Sequence, residues 1–350
     1  MSRPRIPDLP GRPELLLRAD ANLNDWLQAR TQGIGGSEIA ALLGVSPYAT
    51  AFDVYKSKVD DDGQLRFLHD EPVVGPKVRP ELMTDEPVLE WGHRLEDAVA
   101  LKAADELGLV ARTGGGLWRH RDHPVAIVTP DRIATKRRSW KPVGLIECKT
   151  TSDREEWDDG RAPVHYEVQA QWQLGITGLE RCWLACLVLG HERDFRLVEI
   201  TADPDWFGEM VNVAETFWSK HVLGDEPPMH DLAHPRTDDL VKELHPRAVV
   251  EATELPDEAA EWLADYHEAK AEADRAERKL SEIKNWIRLQ VGDAGAGYLG
   301  EHKVVSYPEV TTTRVDVNKL RENYPEAAEA CSVQSTHRRL TVRRLPKAAK

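Results

Sequence analysis

The stretch Gly144–Thr151, GLIECKTT, restricts the fold more than any other part of the chain. Gly144, Leu145 and Ile146 read as the start of a buried strand. Side chains alternate across a strand, so Glu147 and Lys149 share a face with Leu145, while Ile146, Cys148 and Thr150 point the other way. A carboxylate and an ammonium on an apolar strand have two readings. One is a structural ion pair, which adds little stability. The other is a metal ligand beside a catalytic lysine. The triplet alone does not choose between them.

The chain is long enough for a full core and two domains: 350 residues, 41% of them hydrophobic and 30% charged. No run approaches the ~20 apolar residues that cross a membrane. The opening MSRPRIPDLPGRPELLL has no continuous apolar segment and no small-residue cleavage site, so no signal peptide is expected. Its prolines mark residues 1–19 as a flexible lead. The cysteines, Cys148, Cys182, Cys186 and Cys331, form no CxxC pair; they read as reduced thiols of a cytoplasmic protein. The formal charge of −14 opposes general affinity for nucleic acid, although distribution matters more than the sum. Residues 331–350 hold four arginines, two lysines and no acid.

Helical spacing runs through NLNDWLQAR (Leu23, Trp26, Leu27) and, after a glycine-rich turn, EIAALLG, with Ser37 as its N-cap and Gly44 as its stop. Residues 60–87 are polar and proline-broken, a surface loop. PVLEWGHRLEDAVALKAADELGL reads as a long amphipathic helix with Leu95, Val99 and Ala103 on its apolar face, and Ala98 and Leu101 nearby. GGGLWRH, VAIVTPDRIA and VGLIECKT follow as a β-meander. Then come a helix (VHYEVQAQWQLGITG), two strands (RCWLACLVLG, DFRLVEI) and a helix (PDWFGEMVNVAETFWSKHVLG). This order predicts an α/β layer around a mixed central sheet flanked by helices. Residues 224–256 read as a linker. Beyond it, Trp262, Tyr266, Ala269, Ala273, Ala276, Leu280, Ile283 and Ile287 alternate gaps of four and three, a heptad seam on a coiled-coil helix from about residue 257 to 290. KVVSYPEVTTTRVDV and HRRLTVRRL read as strands of a small β module, so 257–350 is a separate C-terminal region with a basic tail.

Asp131, in VTPDRIA, lies at a turn between strands, sixteen residues before Glu147. A hairpin joining these strands brings it beside Glu147 and Lys149. Two carboxylates from adjacent strands suit Mg²⁺, a hard ion that prefers oxygen, and a neighbouring lysine can orient or help deprotonate water. Glu96, in WGHRLEDA, adds a third carboxylate from the preceding helix. The ordinary readings are a turn aspartate, a surface Arg30, and Gln169, Gln171 and Gln173 as the polar face of a helix. Gly33, Gly35 and Gly36 form a plain turn or a backbone approach to phosphate. Trp91, Trp118, Trp172 and Trp183 read as core, and no histidine spacing makes a zinc set.

PD, fifteen residues, then ECK matches the PD-(D/E)xK nuclease pattern, with its restriction-endonuclease-like core. RTQGIGGSEIAALLGVSPY, WGHRLEDAV and HYEVQAQWQLGITG, in this order, resemble the motifs of YqaJ-like phage recombination exonucleases, the group that includes lambda exonuclease. The resemblance covers about residues 26–220, so 20–223 is the expected exonuclease domain. It implies Asp131, Glu147 and the Cys148 backbone carbonyl as metal ligands, Lys149 as the group that activates water, and Glu96 supporting the metal directly or through water. Arg30 and Ser37 would hold a 5′-terminal phosphate; Tyr166 and Gln169 would shape the site or touch substrate, and Gln171 fits more loosely. The implied activity is 5′→3′ digestion of one strand from double-stranded DNA ends with Mg²⁺, Mn²⁺ being a substitute. A ring-shaped homo-oligomer, often a trimer, would leave 3′ single strands for an annealing protein. The alternatives are another PD-(D/E)xK endonuclease and a non-catalytic DNA-end-binding or assembly protein. Glu38 departs from the pattern, standing where close relatives carry aspartate.

Overall fold

The computed structural model describes residues 6–60, 64–66, 87–189, 194–224, 226–333 and 337–343. It divides at Val241/Lys242 into two units. The first contains β1 (Glu14–Arg18), α1 (Leu23–Arg30), α2 (Gly36–Leu42), α3 (Ala51–Lys58), α4 (Pro87–Leu107), β2 (Val110–Thr113), β3 (Gly116–Arg119), β4 (Ile127–Val128), β5 (Arg132–Thr135) and β6 (Pro142–Thr151). After these come α5 (Val164–Thr177), β7 (Arg181–Val188), β8 (Phe195–Thr201), α6 (Pro204–Phe217) and the start of α7 (Pro235–Leu244).

The ECK strand, β6, is the middle of a five-stranded sheet of order β2-β5-β6-β7-β8. It runs antiparallel to β5 and parallel to β7, while β2 and β8 join antiparallel at the edges. A parallel pair needs a long crossover, which α5 supplies. Ile146 packs with Trp183, Ala134 and Ala185 against Val99 and Ala103 of α4. Leu145 joins Ile133, Leu184 and Cys186 in the larger core with Val168 and Trp172 of α5. Helices therefore cover both faces, and the mixed α/β layer expected from the pattern is present.

The meander is organised differently from its expected form. VAIVTPDRIA is two strands in two sheets: β4 pairs with β3, and β5, beyond Pro130-Asp131, pairs with β2 and β6. β3 takes β1 as its other partner, so residues expected as a flexible lead form a strand. Gly44 follows α2 with φ of +70°, as its stop role requires, but the N-cap is Gly35 and Ser37 lies inside the first turn. On α4 the buried face is Val99, Ala100, Ala103 and Ala104, while Leu101 is exposed and Ala98 is exposed too. Trp91 is 57% exposed, unlike the buried Trp118, Trp172 and Trp183. Most of the expected loop at 60–87 lies outside the described residues. Within the expected linker, His230 lies against Phe52 (ring centroids 4.1 Å apart). His234 Nε2 is 2.6 Å from the Ser46 carbonyl oxygen, and Arg236 is 3.5 Å from Asp53. This part of the chain is thus a packed part of the first unit.

The second unit holds α8 (Ala259–Val291), a hairpin of β9 (Ala296–Leu299) and β10 (His302–Ser306), α9 (Val317–Asn323) and α10 (Pro325–Ala330). The long helix and one expected strand are present. The polar run after Ser306 gives no second strand, and residues 337–343 of HRRLTVRRL form none. The last residues of the basic tail, 344–350, lie outside the described residues.

Trp172 ties these layers together. Its indole N–H donates to the carbonyl oxygens of Ile34 and Ile127, each at 3.1 Å, and its side chain is fully buried. Trp172→Phe removes that donor from two buried carbonyls. We expect a loss of about 1–3 kcal/mol, measured by urea denaturation.

Candidate active site

Lys149 and Glu147 stand one pleat apart on the α5 side of β6, and their side chains meet: Lys149 Nζ is 2.7 Å from Glu147 Oε1. Glu147 is 2% exposed, a position where a carboxylate needs full pairing. It has it. Gln169 Nε2 donates to Oε1 at 2.6 Å and Gln173 Nε2 donates to Oε2 at 2.7 Å. Residues four apart share a helix face, so α5 presents both amides to one carboxylate. Gln169 Oε1 accepts from Lys149 Nζ at 3.1 Å, closing a Lys149–Glu147–Gln169 triangle. Gln173 was visible in the sequence only as part of a polar face; the i, i+4 spacing with Gln169 is the signal that pairs them.

Asp131 enters from the break between β4 and β5. The β5–β6 ladder ends at Arg132↔Ile146, so the Cys148 N–H lies past its last rung. Asp131 Oδ2 accepts that N–H at 2.8 Å. Burial and the charge of Glu147 push the Asp131 carboxyl well above the usual carboxylate range, against the pull of Lys149. Burial lowers the Lys149 pKa, but the Glu147 and Asp131 charges outweigh it and raise the net value, so the ammonium stays charged. Lys149 Nζ also sits 4.7 Å from the Tyr166 ring centroid, a cation–π contact. His165, beside Tyr166, is pushed down to about 4 by burial and the Lys149 charge and adds no charge at neutral pH.

Glu96 reaches the same cleft from α4, but its carboxylate meets the Arg132 guanidinium at 2.5 Å. Arg132 also binds Asp97 and donates to the Asp131 carbonyl at 2.6 Å. In this arrangement Glu96 secures the Asp131–Arg132 turn, whereas the sequence placed it toward a metal. Gln171 is the clearer correction. Its side chain donates to the Thr201 carbonyl and accepts from the Asp203 N–H, at 2.8 and 2.9 Å. Its offset of two residues from Gln169 and Gln173 on α5, a little over half a helical turn, points it toward the β8–α6 junction, away from Glu147.

Arg30 and Ser37 line one cleft of about 800 Å³ with Glu96, Asp131, Glu147, Cys148, Lys149, Tyr166 and Gln169. Glu38 organises this edge. It accepts the Gly35 N–H (2.7 Å), binds Lys58 (2.8 Å) and lies 3.8 Å from Arg30. Lys58 Nζ donates to the Arg30 carbonyl at 3.0 Å. Arg30 itself lies over the Trp26 ring, 4.8 Å from its centroid. The glycines here are packing glycines: a Cβ at Gly33 would meet the Val125 carbonyl oxygen at 2.7 Å, and one at Gly36 would meet Gln169 Cγ at 2.8 Å. The second contact lets α2 approach α5 beside the Glu147 triangle. Lys58 was not visible as a site residue, since no motif or spacing ties helix α3 to the cleft.

Residues 25–180 match the model of the YqaJ-like viral recombinase domain. The match lies within the first unit. Every residue expected at the site, apart from the neighbouring glutamine Gln171, lines the one cleft described above. Over 337 residues the chain is 26% identical to the uncharacterized protein YqaJ of Bacillus subtilis (strain 168), covering 95% of this chain and 98% of that protein. The similarity therefore extends past the matched residues 25–180 into the second unit. Among solved structures, LHK-Exo in complex with dAMP is 16% identical with a TM-score of 0.43, and the alkaline exonuclease LHK-Exo from Laribacter hongkongensis is 15% identical with 0.40. Each covers 63% of this chain and 99% of its own. A phage related exonuclease from Haemophilus somnus 129PT is 13% identical, with a TM-score of 0.34 over 55% of this chain and 96% of its own.

Could the cleft hold a divalent ion? Among the described residues no three His, Cys, Asp or Glu side chains converge as a ligand set. Asp131 and Glu147 with the Cys148 carbonyl would give two carboxylates and one neutral oxygen, a donor set that suits Mg²⁺, which keeps several waters. Burial first, and the Glu147 charge second, raise the Asp131 pKa; a divalent cation would offset both. The residues fit.

The Glu38–Lys58 pair makes a stability prediction. The Lys58 and Arg30 charges, outweighing burial, hold Glu38 below its ordinary 4.5. Its contribution is therefore complete above that value and is lost as pH falls through the lower folded value. Lys58→Met strands a buried carboxylate and should cost about 3–5 kcal/mol near neutrality. Adding Glu38→Gln should recover much of this loss. Denaturant melts at neutral and acid pH measure both, and the single variant should be relatively better off in acid, where Glu38 is neutral.

Proposed function

We propose that the YqaJ-like domain is a Mg²⁺-dependent exonuclease that digests one strand 5′→3′ from double-stranded DNA ends. It would leave 3′ single strands for an annealing protein, with Mn²⁺ able to replace Mg²⁺. The observation that carries this reading is the convergence of Asp131, Glu147 and Lys149 in one cleft with Arg30 and Ser37 on its rim. The matched recombinase domain agrees with it.

Asp131, Glu147 and the Cys148 carbonyl would hold the ion, which when bound supplies positive charge to the phosphate oxygens and lowers the pKa of water. Lys149 Nζ, pinned by Glu147 and Gln169, would orient the attacking water and, as an ammonium, offset the negative charge that grows as that water loses a proton to solvent, while the departing 3′ oxygen takes one from solvent. Water oxygen bonds to phosphorus as the bond from phosphorus to the 3′ oxygen of the terminal nucleotide breaks. That nucleotide departs, and the next keeps a 5′-phosphate. Arg30, with its planar fork of donors, and Ser37 would hold the terminal 5′-phosphate and so confine cleavage to ends. Tyr166 would keep the ammonium in place from below.

A chain of −14 net charge needs local positive charge to bind a polyanion. The turn between β5 and β6 supplies it. Lys136, Arg137, Arg138 and Lys141 are exposed there and form no ion pair among the described residues. Trp140 stands beside them, with the Arg112 guanidinium 3.8 Å from its ring centroid. A ring of copies around the duplex, as the resemblance implies, would make digestion processive.

Release of acid-soluble nucleotides from linear duplexes with 5′-phosphate or 5′-hydroxyl ends tests the reading. Mg²⁺-dependent release that favours the phosphorylated end, and is abolished by Lys149→Ala, is expected. Binding to ends with no release in any divalent metal would replace the enzyme by an end-binding protein, and cleavage of closed circles would make it an endonuclease. Gln173→Ala, which removes a donor to Glu147 without touching substrate, should raise the Mg²⁺ requirement or lower turnover about 10–100-fold while leaving end binding intact. A titration of rate against Mg²⁺ reads that change.

A further inference from the structure

Among the described residues nothing covers the seam of α8. Trp262 is 60% exposed, Tyr266 42%, Leu280 51%, Ile283 46% and Ile287 40%, and Ala269, Ala273 and Ala276 are exposed with them. A heptad stripe of this length is a surface built for another helix. Its order also says which helix.

We propose that α8 pairs antiparallel with α8 of a second copy of this chain. Aligned about a twofold axis between Asp274 and Arg275, all the seam positions fall into layers in a single register. Trp262 lies opposite the partner's Ile287, Tyr266 opposite the partner's Ile283, Ala269 opposite the partner's Leu280, and Ala273 opposite the partner's Ala276. Bulky layers close the two ends and small ones let the helices approach at the centre. No residue is left against a gap. Such self-complementarity is what a twofold interface requires, because each residue must serve on both sides.

The flanking charges make the choice of direction. In the antiparallel pair, Glu272 meets the partner's Lys279 and Lys270 meets the partner's Glu277; the twofold axis repeats each contact, so four opposite-charge contacts flank the seam. An in-register parallel pair would bring Asp265 to the partner's Lys270, but Glu272 to the partner's Glu277 and Lys279 to the partner's Lys284. Two of its three kinds of contact would then be repulsive. Within its own helix Glu272 has one ion pair, with Arg275 at 3.6 Å, and both groups are about two-thirds exposed, so it remains open to a stronger partner. The inference stands on α8 alone and is independent of any nuclease activity.

The test uses the full chain with Cys331→Ser, which removes the exposed thiol. Variants Ala269→Cys and Leu280→Cys are oxidised separately and after mixing. The antiparallel register predicts a disulfide-linked dimer only in the mixture, because like cysteines lie eleven residues apart along the paired helices. Dimers from each variant alone would overturn it in favour of a parallel pair, and no crosslink in any sample would overturn self-pairing altogether. A second measurement is sedimentation equilibrium of charge variants. Glu272→Lys should weaken the dimer about tenfold, and Glu272→Lys with Lys279→Glu should restore it. A parallel pair reverses the first result, since the introduced lysine would then face the partner's Glu277. Tighter association of the single variant, or no recovery in the double, would sink the proposal.

Discussion

The first unit depends on pairing the Glu147 carboxylate in a place almost closed to water. A carboxylate taken that far from solvent must be compensated by charge and by hydrogen bonds together. Lys149 supplies the charge from the same strand, and Gln169 and Gln173 supply the bonds from α5. This demand sets the distance between β6 and α5 and orients the helix about its axis. It also explains the polar residues on a helix otherwise deep in the core. The Lys149 ammonium is in turn held between a carboxylate, an amide oxygen and an aromatic face, leaving it little freedom.

A second buried ion pair sets the rim. Glu38 and Lys58 meet on adjacent helices, and Lys58 fastens the carbonyl of Arg30. The guanidinium at the cleft edge is thus placed by its backbone as well as by Trp26 and Glu38. Gly36 lets this assembly approach Gln169, and Trp172 holds the loop before α2 to β4. One core therefore carries both groups of the proposed site, the acidic centre on the sheet and the cation on the rim. The long helix of the second unit follows another logic: its apolar stripe meets no cover within the described residues of that unit, and its charge pattern matches its own reversal.

Much of this was legible in the residues. Strand alternation put Glu147 and Lys149 together, the expected turn at Asp131 put that carboxylate beside them, and helical spacing gave α4, α5, α6 and α8. Errors came where a local pattern had two tertiary uses. VAIVTPDRIA looks like one strand because its apolar content is continuous, yet Pro130 and Asp131 divide it between two sheets. The prolines near the N-terminus did not show that Glu14–Arg18 would find a partner in β3, a residue separation of about a hundred. Three glutamines at alternate positions of α5 look alike in sequence; the helix turns Gln169 and Gln173 toward Glu147 and Gln171 toward β8.

The sequence by itself determined the α/β order, the pairing of Glu147 with Lys149 and the heptad stripe, because each follows from the periodicity of a single element. Only the tertiary structure decided that Glu96 meets Arg132, that Lys58 neutralises Glu38 and that Gln173 completes the shell of Glu147. Those contacts join residues 20 to 36 positions apart on different elements, and which of many possible partners a charge or amide meets is settled by how the elements pack. Spacing within one element cannot encode that choice.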